Sequence, residues 1–436
     1  MKRIIFFMNI VIIALLFSTT NYAQLGNNRD LQYYRFPDQR GLNTFETSKY
    51  NTVKFEGLKV VVGVSSTIQF QGLSQSNNAA FKDNGSGKNV NQLIKLGKDF
   101  NLATANLDIN VQLADGLRMY LGTYLTSRHH LEAWVKGGYI QIDKLDFISK
   151  GFLKNLMKSV TVKIGHMEIN YGDAHFRRSD NASTLYNPFV GNLIMDGFTT
   201  EVGSELYYQK NGLLAMAGFT NGKLNQDVKS PGLNSLSFVG KLGFDLELKN
   251  DMRVRLTGSI YTNPKLKSIY LYGGDRTGSR FYSVMQGITA TRDDFRSGRW
   301  KPNFKDKITA IMINPFVKYK GLEIFGVYET ATGGDFKGAT ETRTWNQISA
   351  DVVYRFGIDE NLYFGVRYNK ASGKLANSDP NEVSIDRIQV AAGWFLTKNM
   401  LAKLVYIDQN YNDFPLDSIY RGGNFSGFMV EAIIKF

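Results

Sequence analysis

An all-β fold, a transmembrane antiparallel up-and-down β-barrel of about sixteen strands, is what this sequence predicts. Three observations carry that reading. In the last stretch of the chain, Phe428, Val430, Ala432, Ile434 and Phe436 alternate with Met429, Glu431, Ile433 and Lys435. Such period-two alternation builds a strand with one apolar and one partly polar face, as a wall between lipid and a wet lumen requires. The same pattern recurs along the chain in pairs of segments. The connections between those segments alternate short and long, which a water-soluble sandwich has no reason to do.

The chain begins with a segment of export type. Lys2 and Arg3 precede an apolar run over residues 4–17, and Ala23 precedes the expected cut, so residues 1–23 read as a signal peptide. A retained membrane helix is the competing reading. No later apolar run reaches the ~20 residues that a spanning helix needs. Residues 24–57 are polar and aromatic without a sustained period, and they read as an N-terminal arm in or under the barrel. Residues 58–436 then form the barrel itself.

Its strands are expected at 58–69, 101–112, 117–125, 131–143, 160–168, 200–209, 212–219, 235–248, 252–261, 308–319, 322–329, 345–356, 362–370, 387–396 and 400–409, and in the terminal strand. The second is the most regular, with Ala103, Ala105, Leu107, Ile109 and Val111 on one face and Thr104, Asn106, Asp108, Asn110 and Gln112 on the other. Short turns such as 250–251 and 320–321 fall between long segments such as 70–100, 169–199 and 262–307. An even strand number puts both termini on one side, the periplasm, with the long loops outside. The segment 144–159 is the one long connection on the turn side, and 152–157 reads as a helical turn within it. Tyr and Phe near strand ends, such as Tyr319, Tyr354, Phe356 and Trp394, suit the aromatic girdles at the membrane interfaces.

Composition excludes several functions. Without a single Cys the chain has no thiolate zinc site and no thiol catalysis. The net charge of +13, which is +11 without Lys2 and Arg3, is dispersed, and with export it argues against nucleic acid as a partner. Outer-membrane lipid and the barrel assembly machinery are the partners expected of such a chain, with Phe436 as the assembly signal. No cofactor is expected.

The least bland stretch runs from residue 165 to residue 203, mostly within the third long loop. His166, Glu168, Asp173 and His175 are metal-ligand types, but nothing in their spacing fixes them together, and no metal is expected. His175 with Asp173 and Ser179 supplies the residue types of a nucleophilic site without a recognisable arrangement, so no catalytic residue is assigned. The favoured reading is a constriction loop folded inward, carrying Asp173, His175, Arg177, Arg178 and Asp180, with its arginines pairing inside the loop to Asp180 and Asn181. The run Gly273-Gly274-Asp275-Arg276-Thr277-Gly278 lacks the Lys-Ser/Thr ending and the helix of a phosphate cradle and reads as loop. On the polar faces of the strands, Lys241, Asp245, Glu247, Arg253, Arg255, Arg355, Arg367 and Arg387 are the expected lumen charges. Their mixture gives a transverse field with a mild preference for anions.

With the terminal strand, the Ala23-Gln24 signal end and the third-loop run, the mature chain resembles the porin-type barrels of the Bacteroidota outer membrane, similar to the phosphate-selective porin O/P-like class. That resemblance implies sixteen strands, an inward third loop and often a homotrimer. A phosphate-selective member would carry a dense Arg ladder and a Lys cluster. Here Asp245 and Glu247 offset Arg253 and Arg255, which departs from that pattern. The expectation is a non-enzymatic outer-membrane porin for passive diffusion of small hydrophilic solutes. Two alternatives stand beside it: a non-transporting barrel that is a subunit of a larger envelope assembly or secretion complex, and an outer-membrane barrel enzyme. An open lumen favours the porin; a plugged one favours the subunit.

Overall fold

A computed structural model of the chain describes residues 30–50, 53–125, 133–179, 183–224, 228, 235–273, 280–291, 294, 296–338 and 340–436. The residues of the expected signal peptide lie outside these. Sixteen strands follow one another: β1 (Lys59–Ser76), β2 (Asp99–Ala114), β3 (Leu117–Leu125), β4 (Ala133–Ile142), β5 (Val160–Glu168), β6 (Thr200–Lys210), β7 (Leu213–Thr220) and β8 (Ser237–Leu248). They continue with β9 (Met252–Leu266), β10 (Lys305–Tyr319), β11 (Leu322–Gly334), β12 (Thr342–Phe356), β13 (Leu362–Gly373), β14 (Val383–Thr397), β15 (Met400–Asn412) and β16 (Asn424–Lys435). Every strand pairs antiparallel with its sequence neighbours, and β16 closes on β1 from Ser65↔Lys435 to Ser76↔Asn424. Closure leaves no sheet edge, which is the condition for strands to cross a bilayer. Among the described residues no helix is long and apolar enough to cross one.

The alternation read from the terminal strand holds in space. Phe428, Val430 and Ile434 face out, while Met429, Glu431, Ile433 and Lys435 are buried within the barrel. In β2 the pattern breaks at one residue. Thr67 pairs with Thr104 but Ile68 pairs with Leu102, so Ala103 is the extra residue of a β-bulge. The bulge turns Ala103 inward and reverses the parity beyond it, which corrects the outward placement expected from strict alternation.

The connections sort by end. Turns at 115–116, 211–212, 249–251 and 320–321 are tight, and in the three-residue loop between the paired Leu248 and Met252 both Asn250 and Asp251 take positive φ, 63° and 58°. At the opposite end the strands are joined by much longer segments. The connection expected at 126–130 lies outside the described residues. The exception at the turn end is residues 143–159, which contain the helical turn α1 (Lys154–Met157). Tyr319, Tyr354, Phe356 and Trp394 are exposed near that end, with Tyr354 stacked on Phe356.

The apolar core lies inside the barrel. Loop residues Leu185, Phe189, Val190, Ile194 and Met195 pack with wall residues such as Met312, Phe316, Trp345 and Val405. Full burial of a side chain such as Phe189 stabilises the docked loop by about 2–3 kcal/mol relative to its exposure.

Candidate functional site

Two segments and the arm occupy the lumen, and the wall binds each. The segment 169–199 runs inward from β5 and meets β12–β15. Asn369 accepts from the Ile194 amide at 2.7 Å, and Gln347 accepts from the Met195 amide at 2.8 Å. Gln389 donates to the Val190 carbonyl at 2.8 Å, and Lys403 reaches the Asn187 and Phe189 carbonyls at 3.2 Å. These side chains satisfy backbone groups that a buried loop would otherwise leave without partners. Gly172 is at φ +71° with Met312 directly over its α-carbon, so a Cβ there would collide with the β10 wall. A second segment, 296–304, lies beside the first: the Trp300 amide donates to the Ile194 carbonyl, and the Trp300 ring packs on Trp345 at 5.0 Å.

The arm crosses the turn-end mouth. Gln32 bonds Gln112 and the Gly116 amide, Gln39 bonds the Lys398 and Asp359 carbonyls, and Lys49 binds Asp143 at 2.8 Å and the Val160 carbonyl at 2.8 Å. Burial pushes the Lys49 ammonium below its ordinary range, against the pull of Asp143.

The charged residues of the third loop meet partners far from their own neighbourhood. Asp173 receives Arg255 Nε and Nη2 at 2.8 and 2.9 Å and Lys241 at 3.0 Å. Glu46 of the arm completes the cluster, 2.7 Å from Arg255 and 3.1 Å from Lys241. Burial pushes both carboxyls up, but the two cations outweigh it and hold them below the usual carboxylate range. Arg177 binds Asn43 of the arm and lies 3.5 Å from Glu323, which Arg355 also binds at 2.6 Å. Arg178 pairs with Asp196 on the far limb of its own loop at 2.6 and 2.7 Å. Burial raises the Asp196 carboxyl, but Arg178, with Arg280, outweighs it and holds the carboxyl down at about 2. The expected pairing of these arginines with nearby Asp180 and Asn181 lies outside the described residues; among the described residues their carboxylate contacts include Glu323 and Asp196.

His175 meets Glu168 and Asn170 at 2.5 and 2.9 Å, whereas Ser179 bonds Asn187 and Asn192. The His, Asp and Ser of the third loop are therefore not assembled into one site. No group of three His, Asp or Glu suited to a metal occurs among the described residues.

On the walls, Arg253 pairs with Asp245 at 2.7 and 2.6 Å and donates to the Asn43 carbonyl. Arg255 also touches Asp245, at 3.1 Å. Arg367 pairs with Asp351 through two bonds of 2.7 Å and stacks over Phe189. Arg387 binds Gln409 and the Asn192 and Gly298 carbonyls. Glu247 is exposed at the turn end. Most of the expected lumen charges thus clamp the loop and arm.

Among the described residues, two cavities border the inner part of the arm. One, of about 810 Å³, opens at the turn end between Gln39, Asn43, Glu247, Arg253, Lys318 and Lys398. The other, of about 210 Å³, lies against β2–β5 and is bounded by the arm at Tyr34, Arg35 and Phe45–Thr47. Arg118, Lys136 and Lys163 enter it from three successive strands, joined by Lys435 from β16. Lys163 lies 5.0 Å from the Tyr207 ring and 5.7 Å from Tyr139, and Arg118 binds Asn110 and Gln141. Asp108, Glu46 and Glu168 are its carboxylates, engaged by Tyr120, by Arg255 and Lys241, and by His175. Alternation in the sequence puts Arg118, Lys136 and Lys163 on the polar faces of their strands, among many other wall cations. The alternating polar positions of β3–β5 were visible, but which of them the loop would leave uncovered was not.

The architecture is a closed, sixteen-stranded antiparallel barrel with the segment that follows β5 docked inside it. Among solved structures it is similar to an anion-selective porin of Comamonas acidovorans, at 10% identity and TM-score 0.52, over 87% of this chain and 100% of the other. It is likewise similar to OmpF of Salmonella typhi, at 12% identity and TM-score 0.51, over 87% and 98% of the two chains. The trimer form of OmpT from Vibrio cholerae matches at 10% identity and TM-score 0.51, over 87% and 100%. At these identities the likeness is one of fold. No family model matches the sequence, and no curated protein matches it.

Proposed function

We propose that the protein is an outer-membrane porin with a narrow, mildly anion-favouring passage for small hydrophilic solutes. The observation that carries this is the cavity of about 210 Å³, the space that the inward loop leaves beside a wall of Arg118, Lys136 and Lys163. Clustered cations over a restricted opening raise the local concentration of anions. The fold likeness to an anion-selective porin supports the same reading. In this account solutes pass the arm between the two cavities, both termini face the periplasm, and lipid surrounds the barrel. Phe436, whose amide and carbonyl exchange bonds of 3.0 Å with Val64, is the residue the assembly machinery reads. A homotrimer is the assembly this reading favours, in line with the trimeric likeness. Swelling of proteoliposomes tests it: a pentose should enter and a trisaccharide should not, and equal exclusion of both would reject a porin.

A second reading rests on a separate observation. The half of the lumen against β10–β15 is filled by side chains with almost no exposure, including Phe189, Val190 and Trp345. A fully plugged barrel of that kind serves as a non-transporting subunit of an envelope complex. A barrel that conducts nothing and co-purifies with one constant partner would establish it.

A further inference from the structure

The connection between β4 and β5 does not fit the rest of its end of the barrel. The other connections there are two to five residues long and mostly polar, with Ile358 as their one exposed apolar side chain, whereas this one exposes Phe147, Ile148, Phe152, Leu153 and Leu156, each 44–61 % accessible. The exposure is not that of a loose loop. The Phe152 amide bonds the Ser149 carbonyl at 2.9 Å, the Met157 amide bonds Leu153 at 3.0 Å, and Asp146 accepts from the Gly151 amide at 2.8 Å. Met157 is tucked in and buried, and Lys144 is tied to Asp115 at 2.8 Å, which fixes the segment to the barrel rim. Lys150, Lys154 and Lys158 stand exposed among the apolar side chains, against the single acid Asp146.

From this ordered, outward, lysine-flanked apolar patch we infer that residues 145–158 are an interfacial anchor that lies in the headgroup region of the bilayer and takes anionic phospholipid. The patch continues the lipid-facing band: Ile140 and Ile164, exposed on the two strands it joins, lead directly into it. Apolar side chains that reach the acyl boundary while lysines keep to the headgroups are the arrangement of interfacial segments, and the ammonium groups complement anionic phosphates. Exposure of the same side chains to water would be unfavourable in proportion to their apolar area. The inference rests on the membrane-barrel reading, so its test must separate the two.

The chain has no cysteine, which permits single labels. Leu156→Cys, Ile164→Cys and Asn250→Cys would each carry an environment-sensitive fluorophore in nanodiscs that hold one barrel in phosphatidylcholine and phosphatidylglycerol, with nitroxide lipids as quenchers. Shallow nitroxides should quench the label at position 156 by about twofold, deep ones should quench position 164, and position 250 should stay bright. Lys150→Gln, Lys154→Gln and Lys158→Gln together should remove the dependence of the position-156 quenching on phosphatidylglycerol. A position-156 label as unquenched as that at 250, with 164 quenched, overturns the anchor while the barrel stands. Loss of quenching at 164 as well overturns the membrane reading and the anchor with it. Quenching at 156 that requires two barrels in one disc would also overturn it, in favour of contact between copies.

Discussion

Arg255 grips Asp173 through two parallel hydrogen bonds, 2.8 Å from Nε to Oδ2 and 2.9 Å from Nη2 to Oδ1, and so locks the root of the inward loop to β9. Lys241 and Glu46 complete the cluster, which joins loop, wall and arm in one buried network. A buried cluster of this kind gains little over an apolar replacement, but removal of one member leaves charges stranded.

Asp173→Asn should therefore loosen the third loop, at a cost of about 3–5 kcal/mol to its docked state. The expected outcome is a larger and noisier single-channel conductance with the heat-modifiable barrel intact. An unchanged conductance would mean that the loop is held without this cluster.

Asp196 sets the acid limit of the same loop. Its carboxyl, near 2 in the folded protein, lies below the ordinary value of about 3.9. A depressed carboxyl contributes stability that is complete above the unfolded value and is lost as pH falls through the folded one. Conductance should hold steady from neutral pH down to about 4 and rise only as pH approaches 2. Asp196→Asn should show the acid behaviour already at neutral pH, as read in bilayer recordings over a pH series.

The arm is held at its C-terminal end by Lys49, bound to Asp143 and the Val160 carbonyl. Lys49→Ala should free that end and widen the passage between the two cavities, so that larger sugars enter proteoliposomes. Entry limits equal to those of the parent would place the narrowest point elsewhere.

Phe436 pairs with Val64 at the seam where the barrel closes. Phe436→Ala should lower the yield of folded, heat-modifiable protein in the outer membrane. Equal yields on unheated gels would remove the residue from the assembly signal.

The wall of this protein was legible in its sequence because period-two alternation is local: each strand states its own inside and outside. The Ala103 bulge escaped because one extra residue leaves composition unchanged while reversing parity. The site was far less legible. Arg255 was recognisable as an inward cation, but Glu46 and Asp173 lie far from it in sequence, and only the closed barrel brings them across the lumen. Charges that looked like pore lining became clamps, and the cavity passed to Arg118, Lys136 and Lys163, which alternation alone could not rank above other inward cations.

The most direct measurement is the reversal potential of the parent protein and of Lys163→Gln in a planar bilayer under a salt gradient. A passage along the β2–β5 wall predicts a small conductance with mild anion preference. Lys163→Gln should shift the potential toward cations at low salt, and less at high salt, because screening shortens to a few ångströms. Arg253→Gln, whose charge Asp245 already balances, should shift it less. No conductance in the parent, or a larger shift from Arg253→Gln than from Lys163→Gln, would contradict the account.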